Sequence, residues 1–226
     1  MAVRETHSPT TGRVMVADET YERLKARIMD HDIAPGDRLS IDGLARELQV
    51  SQTPVRESLA RLESEGLVVK VPLRGYRATE LLTEEEFADI FQLRGLLEPW
   101  AARRAAERIT GTGARALQQE VDSVSLPRDA TYDAYQALAA HDERLHHLVW
   151  GLSGSPQVLR ALSLTHCHLH IFRLHWELSF GPDTLAEHRR IAAAVASGDP
   201  EGAERAMAEH LEAGGLRGRL SGYFSQ

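Results

Sequence analysis

Two ionisable residues four positions apart could hold a metal ion. Asp142 and His146 would project from the same face if their segment is helical. A carboxylate and an imidazole in that relation can bind one divalent cation, although pairs at this spacing are frequently surface contacts. His188 in AEHRRI and His210 in AEHLEA lie next to apolar positions, and each by itself is more often a structural or surface histidine. Residue types alone leave both interpretations open.

An arginine interrupts an apolar stripe in the segment EEEFADIFQLRGLLEPWAARRAA. Arg94 lies in the middle of the stripe, whose apolar members are Phe87, Ile90, Phe91, Leu97, Ala101 and Ala105. A buried guanidinium needs an anion. That anion is Glu98, four residues later on the same helix, or the carboxylate of a bound ligand, and both can pair with Arg94 at once.

Histidines are concentrated between Thr165 and Trp176. His166 and His170 are four residues apart, while His168 and His175 share another face with Phe172. The segment could form a second metal pair, an effector pocket or a polar interface. The density of polar side chains favours a pocket, and we predict that His166, His170 and Arg173 line it together with Arg94.

The segment after Val50 could present hydrogen-bond donors to nucleic acid. Ser51 is a good N-cap, and Pro54 falls in the first turn of the helix, where proline is tolerated. The polar face of that helix carries Gln52, Thr53 and Arg56. Arginine can donate two hydrogen bonds to guanine, and glutamine can pair with adenine.

The elements around this helix follow a recognisable order. The pattern predicts a helix over 18–32, a turn at Pro35-Gly36, a helix capped by Ser40, and a third helix that buries Val55, Leu59 and Leu62 and ends at Gly66. Strands are predicted over 67–71 and 76–79, with a tight connection over 72–75. Three helices followed by a hairpin are typical of a winged helix-turn-helix, and the alternative is a small helical domain with a solvated polar face.

The rest of the chain shows helical patterning almost without strand signals. Six helices are predicted, over 84–108, 113–125, 129–152, 156–178, 184–197 and 200–213. The predicted fold is mostly α: a flexible arm over 1–15, a winged helix-turn-helix over 16–79, and an all-α bundle over 80–226.

Composition limits the class of protein. The net charge of −7 resides entirely in residues 80–226, because residues 1–79 hold twelve basic and twelve acidic residues. Cys167 is the only cysteine, which fits a reducing compartment. The sequence has no apolar run of about 20 residues and no signal-peptide pattern, so we expect a cytoplasmic protein without a membrane partner.

The N-terminal motifs resemble one family. PGDRL (35–39), LARELQVSQTPVRESLARLESEGLV (44–68) and RGY (74–76) are similar to the DNA-binding domain of GntR-type bacterial regulators. The resemblance implies that Arg56 is the recognition-helix arginine and that Gly75 is a wing tip near the minor groove. Two positions depart from the pattern: Gln52 stands where arginine is usual, and Asp42 where some members have a DNA-contacting arginine. We expect DNA contacts from Ser51, Gln52, Thr53, Arg56, Arg61, Arg74 and Gly75.

The C-terminal histidines also resemble part of this family. Asp142, His146, His188 and His210 are similar to the metal ligands of the FCD ligand domain in the FadR-like branch. The resemblance implies one divalent ion held by three helices beside a central cavity. Zn²⁺ is the favoured ion, with Ni²⁺, Mn²⁺ and Co²⁺ left open by the ligand types.

The sequence therefore predicts a transcriptional regulator: a homodimeric repressor that binds a palindromic double-stranded DNA operator and responds to a small carboxylate effector. One alternative is a metal-dependent enzyme in a helical bundle. Against it, HExxH is absent, and GLSGS (151–155) ends in serine where a nucleophile elbow needs glycine. The other alternative is a pure metal sensor.

Overall fold

A computed structural model describes residues 9–125, 132–174, 181–220 and 224. It divides the chain into two compact units, with the boundary between Leu81 and Leu82. This boundary lies within two residues of the predicted one. None of the described helices is both long and apolar enough to cross a bilayer.

The N-terminal unit contains three helices and a small sheet. Its elements are α1 (Pro9–Met29), β1 (Arg38–Leu39), α2 (Ile41–Leu48), α3 (Gln52–Ser64), β2 (Val68–Val71) and β3 (Gly75–Ala78). Helix α1 begins inside the segment 1–15 that was predicted as a flexible arm, so residues 9–15 are helical; residues 1–8 lie outside the described part. The two-residue strand β1 was not predicted, because so short a pairing leaves no alternating pattern.

Apolar side chains at helical spacing hold α1 against α3. Val55, Leu59 and Leu62 are fully buried, as their spacing predicted. Leu24 and Ile28 of α1 are buried as well, and α1 packs against α3. Ser40 caps α2 by accepting a hydrogen bond from the backbone N–H of Gly43. Ser51 occupies the N-cap position of α3, but its side chain makes no capping hydrogen bond.

The sheet is antiparallel, in the order β1-β3-β2. Arg38 pairs with Arg77, and Lys70 pairs with Tyr76. The turn between β2 and β3 ends at Gly75, whose φ of 86° is one that residues with a Cβ rarely adopt. The predicted hairpin is thus present and carries a third, very short strand on its outer side.

Among its described residues, every regular element of the C-terminal unit is a helix. Its elements are α4 (Glu84–Arg108), α5 (Gly111–Asp122), α6 (Tyr132–Leu152), α7 (Pro156–Ser163), α8 (Cys167–Leu174), α9 (Gly181–Ala196) and α10 (Pro200–Leu220). Helix α4 begins with a capping box: Thr83 accepts from the Glu86 backbone N–H, and the Glu86 carboxylate accepts from the Thr83 backbone N–H. The core of the C-terminal unit includes the fully buried side chains of Ala105, Leu145 and Ile191.

Two predicted helices need correction. The helix predicted over 200–213 continues to Leu220 as α10. The segment 156–178 was predicted as a single helix, but α7 ends at Ser163 and α8 begins at Cys167. Between them His166 has a φ of 44°, in the left-handed region that interrupts a right-handed helix. No glycine or proline marks this break in the sequence. Residues 175–178, including His175, lie outside the described residues.

Candidate metal centre and nucleic-acid interface

Three helices of the C-terminal unit bring four buried side chains together. Asp142 and His146 lie one turn apart on α6, His188 is on α9, and His210 is on α10. Each offers one ligand atom, and these four atoms all lie within 4.8 Å of one another. The structure thus unites residues that are up to 68 positions apart in the sequence, in the group that the resemblance implied.

Carboxylates behind two of the histidines fix the direction of each ring. His146 Nδ1 lies 2.5 Å from Glu98 Oε2, and His210 Nδ1 lies 2.8 Å from Glu187 Oε2. A carboxylate accepts hydrogen bonds, so each Nδ1 carries the proton and each Nε2 presents a lone pair to the cluster. Such outer hydrogen bonds orient metal-ligating histidines and set their tautomers.

The ring of His188 is oriented by another histidine, His141, in place of a carboxylate. His188 Nδ1 lies 3.0 Å from His141 Nε2, and His141 Nδ1 lies 2.9 Å from Glu120 Oε1. Because Glu120 requires a proton on His141 Nδ1, a neutral His141 accepts through Nε2 from His188 Nδ1. This relay leaves a lone pair on His188 Nε2 as well. Arg144, which is exposed, donates to Glu120 and holds the outer end of the relay.

At the centre of the cluster, hydrogen-bond acceptors face one another without a donor between them. His146 Nε2 and His210 Nε2 are 3.1 Å apart, with a lone pair on each. His188 Nε2 lies 3.2 Å from Asp142 Oδ1, is buried, and has no hydrogen-bond partner among the described residues. Lone pairs and a carboxylate that converge in this way need a cation.

Burial and neighbouring charges keep these groups in ligating form. Burial lowers the pKa of His146 to about 3 and also lowers the pKa of His210, so both rings are neutral near pH 7. Burial alone would raise the pKa of Asp142, but the imidazoles of His146 and His168 hold it well below its usual range. His168 Nδ1 lies 2.6 Å from Asp142 Oδ2, which leaves Oδ1 for the cluster. Three neutral imidazoles and one carboxylate fit a divalent ion.

A cavity of about 120 Å³ borders the cluster. Asp142 and His210 belong to both the cluster and the cavity wall. Phe87, Phe91 and Phe172 supply much of the apolar wall. Among the described residues, Arg94 and Arg217 are the arginines of the lining.

Arg94 is paired within the protein. It is 3% exposed, and its Nε donates to Glu98 Oε1 over 2.5 Å. Burial would raise the pKa of Glu98, but Arg94 lowers it well below the usual range, so the carboxylate is charged. The other oxygen of Glu98 accepts from Trp150 Nε1 over 3.1 Å as well as from His146. Of the two partners that the sequence left open for Arg94, the structure places Glu98 beside it.

The other predicted effector residues lie elsewhere. His166 borders a different cavity, of about 150 Å³, whose lining also includes His168 and Trp150. His170 and Arg173 line neither cavity, although both belong to α8.

Arg217 is a charged cavity residue that the sequence did not indicate. It makes two hydrogen bonds to Glu187, of 2.7 and 2.8 Å, and through Glu187 it contacts the ligand residue His210. The only signal would have been its position seven residues after His210, two turns along the same helical face.

In the N-terminal unit, the face of α3 predicted to contact DNA is exposed. Ser51, Gln52, Thr53 and Arg56 are all exposed, while Val55 on the opposite face is fully buried. Gln52 Nε2 donates to Asp42 Oδ1 over 2.6 Å, and Arg56 Nη2 donates to Gln52 Oε1 over 3.2 Å. The two positions that depart from the family pattern are therefore bonded to each other.

The remaining predicted DNA contacts fall into two groups. Arg74 and Gly75 are exposed at the turn between β2 and β3, beside the fully exposed Leu73. Arg61 is engaged within the unit, because its guanidinium lies 3.5 Å from the centre of the Tyr21 ring and 3.8 Å from Glu65. It is half-exposed, and these contacts use only part of its five N–H donors.

Two family models match the chain. The model described as bacterial regulatory proteins of the gntR family matches residues 16–78, and that of the FCD domain matches residues 89–213. Together they cover most of both units.

Named relatives extend over most of the chain. The HTH-type transcriptional regulator LutR of Bacillus subtilis is 30% identical over 88% of this chain and 98% of its own length. The HTH-type transcriptional repressor RspR of Escherichia coli is 27% identical over 87% of this chain and 86% of its own. These relatives are transcriptional regulators, not enzymes.

Solved structures show the same fold. E. coli McbR/YncC superposes with a TM-score of 0.66 at 19% identity, covering 93% of this chain and 98% of that one. A putative GntR transcriptional regulator from Rhodococcus superposes with a TM-score of 0.66 at 21% identity, covering 90% and 97%.

Proposed function

The chain belongs to the GntR family of transcriptional regulators and carries an FCD domain, and from this premise we propose that it is a homodimeric repressor whose release from DNA depends on a divalent metal ion and a small carboxylate. The operator in this proposal is a palindromic DNA duplex. One observation carries the effector part: a cavity shares two of its lining residues, Asp142 and His210, with the four-residue cluster. A molecule in that cavity lies against the metal ligands.

The cluster suits Zn²⁺ first among the divalent ions, because imidazole nitrogen and a single carboxylate oxygen are ligands that zinc accepts. Ni²⁺, Mn²⁺ and Co²⁺ remain compatible with the same ligands. The ion would supply a positive charge and a coordination position for a carboxylate oxygen. The protein supplies the oriented Nε2 atoms, the apolar wall and the arginine donors.

The charges around the cavity favour an acid with few negative charges. Arg94 is balanced by Glu98, and Arg217 by Glu187, so neither arginine contributes net positive charge. Their unused N–H groups can still donate to a carboxylate. A divalent ion together with Asp142 leaves a single positive charge, and the phenyl rings favour an acid with an apolar body.

An exposed apolar stripe on α4 supports the homodimer. Leu93, Leu96 and Trp100 are 38%, 70% and 41% exposed, at spacings of three and four residues that place them on one face. Large apolar side chains grouped in this way are typical of protein interfaces. A two-fold dimer would present two copies of α3 to a palindromic operator.

Metal content is the first test. Protein purified without chelator is expected to carry about one divalent ion per chain by elemental analysis. His188→Ala should lower occupancy, while His147→Ala, an exposed histidine on α6 outside the cluster, should retain it. Metal-free wild-type protein that was never exposed to chelator or low pH would refute the metal site.

The effector is tested on DNA. Electrophoretic mobility shift on the regulator's own promoter region, and calorimetry with a panel of small mono- and dicarboxylates, are run with and without metal. We expect one acid to release DNA from metal-loaded protein and to bind the metal-free protein and His188→Ala far more weakly. Release by the metal alone would identify a pure metal sensor. Equal binding of the releasing acid with and without metal would show that the ion is only structural.

A further inference from the structure

A chain of hydrogen bonds connects three exposed side chains of the N-terminal unit. It runs from Arg56 through Gln52 to Asp42, across the step from α3 to α2. Asp42 belongs to the first turn of α2 and Gln52 to the first turn of α3. A groove between the two helices separates the backbones there, and Asp42 and Gln52 are both part of its lining.

The two bonds determine what the Gln52 amide has left to offer. A primary amide has two N–H donors and one carbonyl oxygen. Asp42 takes one N–H, and the oxygen accepts from Arg56. A glutamine that reads adenine must present an N–H and its carbonyl oxygen together to the base. In Gln52 the amide nitrogen and the carbonyl oxygen each already have a protein partner, and the two bonds together hold the amide between Asp42 and Arg56.

Arg56 keeps its reading capacity in the same arrangement. A guanidinium has five N–H donors, and only one of those on Nη2 is used by Gln52. The donors that remain suffice for the two parallel hydrogen bonds to O6 and N7 of guanine. Fixing one nitrogen also reduces the rotamer freedom that an exposed arginine loses when it binds.

We propose that Asp42 is a positioning residue for sequence recognition: it holds the Gln52 amide with its oxygen towards Arg56, so that Arg56 reads guanine and Gln52 reads no base. This inference rests on the proposed DNA-binding role of α3 and adds the division of labour within it. The carboxylate also has an electrostatic effect. An exposed negative charge beside the DNA-facing helix weakens binding to every duplex, because it repels phosphates.

Asp42 therefore has two separable effects, and two substitutions distinguish them. Asp42→Ala removes both the acceptor and the charge. Asp42→Asn removes the charge but keeps an oxygen that can accept from Gln52. Glu47→Ala is the matched control, because it removes an exposed charge from the same helix without touching Gln52.

The experiment begins with sequences that the full-length wild-type protein selects from a random pool of DNA duplexes. Relative affinities are then measured for every single base-pair change in the selected site, with each variant and with Gln52→Ala, Arg56→Ala and the Asp42→Ala/Gln52→Ala double variant. Affinity for an unselected duplex and circular dichroism are recorded in parallel. If the wild-type protein selects no sequence, the proposed DNA recognition fails, whatever the role of Asp42.

We expect Arg56→Ala to identify one G·C pair per half-site. At that pair, Asp42→Ala and Gln52→Ala should each lower discrimination on the order of 10-fold, and the double variant should be no worse than either single one. Asp42→Asn and Glu47→Ala should keep the preference. Asp42→Ala and Asp42→Asn should both bind the unselected duplex more tightly than the wild type.

Three results would overturn the inference. In the first, Asp42→Ala keeps the wild-type preference at that pair. In the second, it loses affinity equally at all positions, as expected of a purely structural residue. In the third, Gln52→Ala loses discrimination at an A·T pair instead, which would make Gln52 a base reader.

Discussion

Removing the carboxylate of Glu98 should destabilise the C-terminal unit more than any exposed charge removal. Glu98 is fully buried, and Arg94 is 3% exposed with its Nε 2.5 Å away. Glu98→Ala leaves the guanidinium charged and buried, because arginine does not deprotonate in proteins. Breaking a buried pair in this way costs about 3–5 kcal/mol of unfolding free energy. The Trp150 N–H also loses its acceptor, which adds about 1–3 kcal/mol.

The assay is urea unfolding of the metal-free protein, followed by circular dichroism, so that metal affinity does not enter the result. Glu107→Ala is the matched control on the same helix. Glu107 pairs with Arg103 and Arg104 near the surface, and its loss should cost less than about 1 kcal/mol. The double variant Arg94→Met/Glu98→Leu replaces both charges with apolar groups and should be more stable than Glu98→Ala alone.

Two outcomes would refute this reasoning. A loss for Glu98→Ala no larger than that for Glu107→Ala would show that Arg94 finds another partner or water. A double variant as unstable as Glu98→Ala would show that the loss comes from Trp150, His146 or the packing, not from an unpaired guanidinium.

Three further predictions concern both units. Arg56→Ala should weaken operator binding by about 1–3 kcal/mol in a mobility-shift titration, because a two-hydrogen-bond contact to guanine is lost; unchanged affinity with an intact dimer would remove Arg56 from base reading. Arg74→Ala at the exposed wing should weaken binding to all duplexes and flatten the plot of log affinity against log salt by roughly one unit, since one phosphate contact is lost. A loss confined to one base pair would contradict that role. Thr83→Ala should lower the free energy of unfolding by about 1 kcal/mol near neutral pH, because it removes the N-cap of α4. Hydrogen bonds from Thr83 lower the pKa of Glu86. The stability that these bonds contribute is therefore present above the pKa of the unfolded glutamate and is lost as the pH falls through the folded pKa. If the stability difference between variant and wild type in urea unfolding grows on acidification, the prediction is wrong.

Helical periodicity was enough to predict the elements that present the sites. The burial of Val55 and Leu59 follows from their spacing, and the same spacing puts Gln52 and Arg56 on the exposed face. Asp142 and His146 lie on one face of α6 for the same reason. The union of this pair with His188 and His210 was available only through the family resemblance, because periodicity within one helix says nothing about packing between helices.

The residues that support the cluster could not be predicted from local pattern. Glu98, Glu120 and Glu187 come from three different helices, and only the tertiary packing brings each carboxylate to a ring nitrogen. The break between α7 and α8 was missed for a related reason. His166 adopts its positive φ without the glycine that usually signals one, so the surrounding structure decides the conformation.

The two residues shared by the cluster and the cavity have a consequence for what the cell would sense. Asp142 and His210 border both. If the acid in the proposed function ligates the ion, each raises the affinity of the protein for the other by the same factor. Transcription from the promoter would then require that both the metal ion and the acid be present. A cell short of the metal would keep its genes repressed even when the acid is abundant.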